Sequence, residues 1–468
     1  MKKLVLLVLS LLAVGTLSAC KQERGYTDCE EPDGTQACWS AEDELFRWED
    51  GAVIEIGVDS DSMGAALVAK WDADFPELEG MLTFRNYGSA NGASSGVEGI
   101  ETGQGEAPDV ALVIDNEVTG RQANLLPLHE YFQDLGSEQT LNTAYEAINT
   151  VGTHYLPAFY DGMTFSWNKT MLEDLGVDLT DENGDNLPDA IDTWEEIFAW
   201  ADGFGETRPT FNGNEILEVF PISLDETWSA YSSLTAEGWK LFGDGSDLTD
   251  PGFGDPEFLG GLEFIQEFST HDMSVDETGA KKAASAMGWR WDAYLDGAYP
   301  FSLVGTWMDV DGKETENNLD FKFSAMPTYD GQVLSPLMKT KGFVINGFTE
   351  NPSAASEVLR WLYTKETLET IMDSSAYLPA LEADAEIYPD IDSENKAEFA
   401  AGMALNHIEP AGALPEAPTQ RAMNVYYSIG INEFYRAVWD GTKTPTEAQT
   451  EIVAAATTWI TENNVSGD

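Results

Sequence analysis

The sequence predicts an α/β protein built on parallel sheet, and three observations carry that expectation. Short apolar, β-rich runs recur along the chain, amphipathic stretches at helical spacing separate them, and the two kinds alternate. The first run is "AVIEIGVDS" (52–60). Leu67, Val68, Trp71 and Phe75 follow at helical spacing. "MLTFRNYG" (81–88) reads as the next strand and "PDVALVID" (108–115) as another, with a helix between them. A second series starts with "MTFSWNK" (163–169), and "FKFSAMPTYDGQ" and "KGFVINGF" supply later strands. "PEFLGGLEFIQEF" and "SEVLRWLYTKETLETIM" carry helical patterns. The last helix has a clean start: Thr444 caps, Pro445 suits the first position, and Glu447 reaches back as the capping-box partner.

With 468 residues the chain is long enough for two or three domain-sized cores. It is 43% hydrophobic and 11% aromatic, so it buries real cores and is not an acidic disordered tail. Against 83 acidic residues stand 24 Lys and Arg, a formal charge of −59. That charge repels polyanions, which argues against a nucleic-acid partner. The acids are spread along the chain, as on a heavily solvated surface suited to a salty medium.

The N-terminus is more specific. "MKK" precedes "LVLLVLSLLAVG", an apolar run too short for a comfortable membrane span, and then comes "LSAC" (17–20). This arrangement resembles a bacterial lipoprotein signal, which implies removal of residues 1–19 and lipid on Cys20. The expected product is exported and held to the membrane by lipid alone. Residues 20–50 are polar and punctuated by Pro and Gly, as in a tether. Cys29 and Cys38 remain within it, an even pair that invites a structural disulfide in an oxidising compartment.

One loop stands apart. In "DENGDNLPDAID", oxygen-bearing side chains fall at positions one, three, five, nine and twelve: Asp181, Asn183, Asp185, Asp189 and Asp192. Leu187, at position seven, offers its carbonyl. This is the spacing of an EF-hand-type calcium loop, and "DENGDN" resembles the dockerin variant. Position six is Asn186 rather than Gly, and position twelve is Asp rather than Glu. A separate capping box at Thr193 and Glu196 then starts the next helix. The expectation is a structural Ca2+ staple, away from the working site.

The order of motifs carries a resemblance to a known family. "GEAPDVALVIDNEV", "LLPLHEYF", "YLPAFYDGMTFSWNKTMLEDLGV", "TWEEIFAWAD", "AYLDGAYPFSLVGTWM" and "VWDGTKTPTEAQTEI" occur in that sequence. Together they resemble the maltose-binding-type (family 1) extracellular solute-binding proteins of ABC sugar importers, over essentially residue 52 to the end. The resemblance implies a two-lobed periplasmic-binding-protein-like fold of type II, each lobe a mostly parallel sheet flanked by helices. Lobe 1 would comprise 51–157 and 328–375, and lobe 2 would comprise 158–327 and 376–468. Hinges would lie near "YLPAFYDG", near "FSAMPTYDG" and near residue 375, with solute in the cleft between the lobes.

The resemblance further implies that Trp167 and Trp307 face ligand, with Trp228 a weaker candidate. Asp115, Asn116 and Glu117 would sit where the family places polar contacts, and Asp161 at the hinge. For each tryptophan, core packing is the competing assignment. Fourteen tryptophans favour a carbohydrate, whose apolar C–H faces stack on aromatic platforms. "GSANGASSG" (88–96) lacks the lysine of a phosphate loop. The four histidines lie far apart in sequence, in no triad or metal pattern. The function expected is capture of an oligosaccharide such as a maltodextrin and delivery to a membrane permease, by a monomer and without catalysis. A surface glycan-binding adhesin and a glycosidase are the alternatives.

Overall fold

The computed structural model describes residues 25–90, 96–102, 107–118, 121–139, 154–243, 247, 249–288, 290–382, 384–391, 393–408 and 420–465. The expected leader (1–19) and lipidation site Cys20 lie outside the described residues.

The first elements are strands β1 (Tyr26–Asp28), β2 (Ala37–Ser40) and β3 (Leu45–Phe46), a small sheet in that order. Cys29 and Cys38 are joined by a disulfide, with their Cα atoms 5.4 Å apart. The disulfide joins the expected pair, but residues 25–50 form a docked sheet where the expectation over 20–50 was a tether. Trp39 and Phe46 pack on each other, and both meet the His129 ring. Phe46 also stacks on Phe132. Glu49 reaches across the chain and accepts the free N–H groups of Ser353 and Ala354, at 2.7 and 2.6 Å. These open the helix Pro352–Leu362, so Glu49 satisfies a helix N-terminus from outside. The segment is polar on average, but Tyr26, Trp39, Phe46 and Trp48 provide enough apolar surface to dock it on lobe 1.

The alternation read from the sequence then appears. Strand β4 (Ile54–Val58) leads into the helix Asp61–Asp74, capped by Ser60, whose hydroxyl accepts the Met63 N–H. Leu67 and Trp71 are buried, and Val68 and Phe75 pack at the margin of the same core. Strands β5 (Leu82–Asn86) and β6 (Val110–Ile114) both pair parallel to β4.

Two long strands link the lobes. Strand β7 (Leu156–Asn168) is followed by the hairpin β8 (Thr210–Phe211) and β9 (Asn214–Glu215), then by β10 (Phe301–Gly305) and β11 (Phe321–Ser324). The hairpin β12 (Thr328–Tyr329) and β13 (Gln332–Val333) precedes β14 (Met338–Ile345). The N-terminal half of β7 pairs with β14, while its C-terminal half pairs with β10 and β11. All of these pairings are antiparallel, as is β14 with β6. The two-lobed α/β class holds, but the described sheet is mixed rather than mostly parallel, because both crossing strands run against their neighbours.

Two main cores mark the lobes. One gathers residues such as Ile54, Trp71, Phe132, Phe159, Phe343 and Trp361. The other gathers residues such as Phe165, Trp194, Phe264, Phe301, Tyr426 and Trp439. The chain passes between them in β7, in β14 and at 377–381, where Tyr160 and Ala380 donate backbone hydrogen bonds to Leu378 and Ala158. The first crossing lies at, and the third just after, the segments where the family resemblance implied hinges. The second falls at β14, later than "FSAMPTYDG", because Met326, Leu334, Leu337 and Met338 all pack in the lobe 2 core. No helix among the described residues is long and apolar enough to cross a membrane.

Candidate functional site

A cleft of about 630 Å³ opens beside the crossings. Its walls include the loop after β4, residues 88–90 after β5, the end of β6, the middle of β7, the start of the helix Thr227–Leu234, Trp307 after β10, the start of β14 and residues 374–377 leading into the third crossing. Asp59, Asp161, Trp228, Trp307, Lys339, Lys341 and Tyr377 line it, with serines at 60, 62, 89, 374 and 375.

Lys341 is the centre of its charge network. Its Nζ lies 3.2 Å from Asp161 Oδ1 and 3.5 Å from Asp59 Oδ2, and donates to the Tyr377 hydroxyl at 2.9 Å. Tyr377 in turn donates to Asp59. Burial alone would lower the Lys341 pKa, but Asp161, Tyr377 and Asp59 outweigh it and hold the ammonium charged. Burial raises the Tyr377 hydroxyl's pKa, so it stays a donor. Three segments distant in sequence are thus bound by one cation: β4's end, β7 and the third crossing.

Two residues earlier, Lys339 leans over the Trp228 ring, its Nζ 5.0 Å from the centroid. Lys339 is 5% exposed. Its pKa is lowered by burial, against the opposing charges of Asp115, Asp161 and Glu117. Both lysines point toward the cleft because they sit at i and i+2 on one strand, on one face of the sheet. Trp228 is placed by its own helix start: Glu226 caps it, accepting the N–H groups of Trp228 and Ser229. Trp307 is 40% exposed and lies over Gly305, where any Cβ would meet its ring at 2.5 Å. It also borders a second cavity of about 400 Å³ that reaches Asp311, Asn395 and Lys396.

The structure therefore brings together Trp228, Trp307 and Asp161 of the expected ligand residues. It places the others elsewhere. Trp167 is 5% exposed in the lobe 2 core, with its indole N–H donating to the Asn186 carbonyl at 3.0 Å. This corrects its assignment to ligand: Met163, Phe165 and Trp167 share the core-facing side of β7. Glu117 is fully buried and paired with Arg121 at 2.8 Å, so it is a structural ion pair rather than a lining residue. Asp115 stands behind the wall, accepting the Thr340 N–H at 2.9 Å and its hydroxyl. The Asn116 side chain lies outside the described residues. Sequence reasoning missed Asp59, Lys339, Lys341 and Tyr377. One signal was available: two lysines inside the apolar strand "MKTKGFVI", in a chain with only 24 basic residues.

The aspartate loop lies on lobe 2, outside this cleft. Asp181 accepts the N–H groups of Gly184 and Asn186, Asp185 accepts that of Leu187, and Asp189 accepts that of Glu182. Asn183 donates to both Asp185 and Asp192, at 3.0 and 3.2 Å, so these three side chains converge. Burial, then Asp185, push the Asp192 pKa up to about 6. Asn186 adopts φ of 67°, the left-handed conformation its position in the loop requires. Leu187 packs in the lobe 2 core. The oxygen donor set suits calcium. Among the described residues, however, no group of three or more His, Cys, Asp or Glu is arranged to hold a metal. The capping box at Thr193 and Glu196 is present, and it starts a helix with Trp194, Ile197, Phe198 and Ala201 buried.

No curated protein matches the chain. A family model described as bacterial extracellular solute-binding protein matches residues 89–401, well over half of it. That span includes both crossing strands and most of the cleft wall. Two cores joined by three crossings, with a polar, aromatic cleft where they meet, are what a solute-binding protein needs, and the chain belongs to the bacterial extracellular solute-binding protein family.

Proposed function

We propose that the protein is the substrate-binding component of an ABC importer and that its solute is a carbohydrate, an oligosaccharide such as a maltodextrin fitting best. The observation that carries this is the cleft itself. Trp228, Trp307 and Tyr377 offer aromatic faces beside Asp59, Asp161 and five serines. Flat apolar platforms next to planar hydrogen-bonding groups complement the two surfaces of a sugar. The open space beyond Trp307 gives a longer ligand room to continue.

In this reading the lobes close about β7, β14 and the 377–381 crossing, bury the solute, and present the closed form to a membrane permease. The work is binding and release, without bond cleavage. Export fits the family, and anchoring through lipid on Cys20 would hold a monomer at the membrane. The 181–192 loop is proposed as a Ca2+ staple on lobe 2, supported by its ligand spacing. Asp181, Asn183, Asp185, Asp189, Asp192 and the Leu187 carbonyl would hold the ion.

A thermal-shift screen against maltodextrins, other oligosaccharides, monosaccharides and polyols tests the carbohydrate reading, followed by calorimetry on hits. Saturable binding with the sugar recovered intact is expected. Cleaved product would make the protein a glycosidase. Binding only to immobilised polymer, without lobe closure, would make it an adhesin. Absence of any saccharide binding would overturn the carbohydrate assignment.

A further inference from the structure

The charged groups around the cleft are not equally provided for. Asp59 and Asp161 share Lys341, and Asp59 also accepts from Tyr377. Asp115 accepts from the Thr340 N–H and hydroxyl. Glu117 is held by Arg121, and Glu226 by the N–H groups at its helix start and the Ser229 hydroxyl. Every one of these carboxylates has a donor or a cation in contact with it, shared or its own. Lys339 is the exception: among the described residues its ammonium has no hydrogen-bond or ion-pair partner, only the face of Trp228.

A buried ion without a hydrogen-bonded counterpart is costly, and chains rarely keep one that does nothing. Lys339 lines the cleft, so the missing acceptor has a place to come from. The aromatic face beneath the ammonium holds it in position without supplying an oxygen. A hydroxyl could accept one hydrogen bond there but brings no charge into contact with the ammonium, which Asp115, Asp161 and Glu117 reach only through space. A carboxylate supplies both the acceptor and the charge. The overall charge of −59 does not forbid this, since charges beyond about 8 Å are screened at physiological salt and the contact pair decides.

We propose that the solute carries a carboxylate that seats on Lys339, with an adjoining sugar ring against Trp228, so that the ligand is an acidic saccharide of the uronate class. This rests on the carbohydrate reading above and narrows it. Burial lowers the Lys339 pKa, and an incoming carboxylate acts against that shift by favouring the charged form.

Calorimetry on the full chain tests it with matched pairs: digalacturonate and trigalacturonate against their methyl esters, with maltotriose as a neutral control. The acids are expected to bind at least about tenfold tighter than the esters, the range of a hydrogen bond to a charged group. That preference should shrink as salt is raised. Lys339→Met should bring acid and ester to similar affinity, while Lys339→Arg keeps most of the preference. The wild-type comparison needs no variant, so a poorly folding Lys339→Met leaves the test standing. Ester or maltotriose binding as tight as the acid would overturn the proposal and leave the carbohydrate reading intact. Lys339→Met weakening acid and ester equally would also overturn it. Failure of every saccharide, charged or neutral, would overturn both.

Discussion

Two regions of this protein concentrate carboxylates, and they solve the problem in opposite ways. The 181–192 loop is local: its acids are near neighbours in sequence, are largely open to water, and turn mostly onto backbone N–H groups of the same loop. The cleft is assembled: Asp59, Asp161 and Tyr377 come from distant segments and meet on one buried lysine. Water and amides satisfy exposed acids cheaply, so clustering on a surface demands little of the rest of the chain. Buried acids need a cation in contact with them. The denser acidic motif in the sequence is therefore not the one that shapes the cleft.

The largest effect should come from removing the cation at the centre of the assembled network. Lys341→Met leaves Asp59 and Asp161 without their counter-charge, and should cost about 3–5 kcal/mol of stability in urea denaturation. Asp185→Asn in the loop should change it by less than about 1 kcal/mol in metal-free buffer. Similar costs at both sites would erase the distinction drawn between them.

Calcium tests the loop from the other side. At a hundredfold excess over Kd, a bound ion should add about 2.7 kcal/mol, read as a rise in Tm that EDTA reverses. An unchanged melt would leave the loop a purely amide-satisfied turn. In the cleft, Trp228→Ala should weaken solute binding by about 2 kcal/mol in calorimetry, the loss of a buried aromatic anchor. The same change in Trp167 should act on stability instead, since that ring is core. A Trp167→Ala variant that folds normally but fails to bind would restore its place in the site.

The smallest effect concerns a half-buried group on which burial outweighs nearby carboxylates. His129 lies among Tyr26, Trp39 and Phe46, and its Nδ1 accepts the Tyr131 N–H at 3.2 Å. Burial lowers its pKa from 6.5, although Glu130 and Asp28 pull the other way. The folded value is depressed, so the stability is fully present above pH 6.5 and is lost as pH falls toward that lower value. Tm should therefore drop below pH 6.5 more steeply in the wild type than in His129→Gln. Parallel curves would mean that the N-terminal sheet docks without regard to the ring's charge.

The sequence alone determined what depends on neighbours along the chain. Helix starts at Thr193 and Thr444, the left-handed turn at Asn186 and the early β-α-β alternation follow from spacing and local backbone preference, whereas the two-lobed class came from the family resemblance. The resemblance added Asp161, Trp228 and Trp307, each in a recognisable motif. Only the tertiary structure decided which side chains face the cleft. Trp167 and Lys339 both lie in strands that cross between lobes, and nothing local says that one strand turns its tryptophan into a core and the other its lysine into the cleft. Docking of residues 25–50 was equally hidden, since it depends on Glu49 meeting a helix start some 300 residues away. Hydrogen-bonded caps are written within a few residues, whereas the partner of a buried charge is chosen by packing across the whole fold.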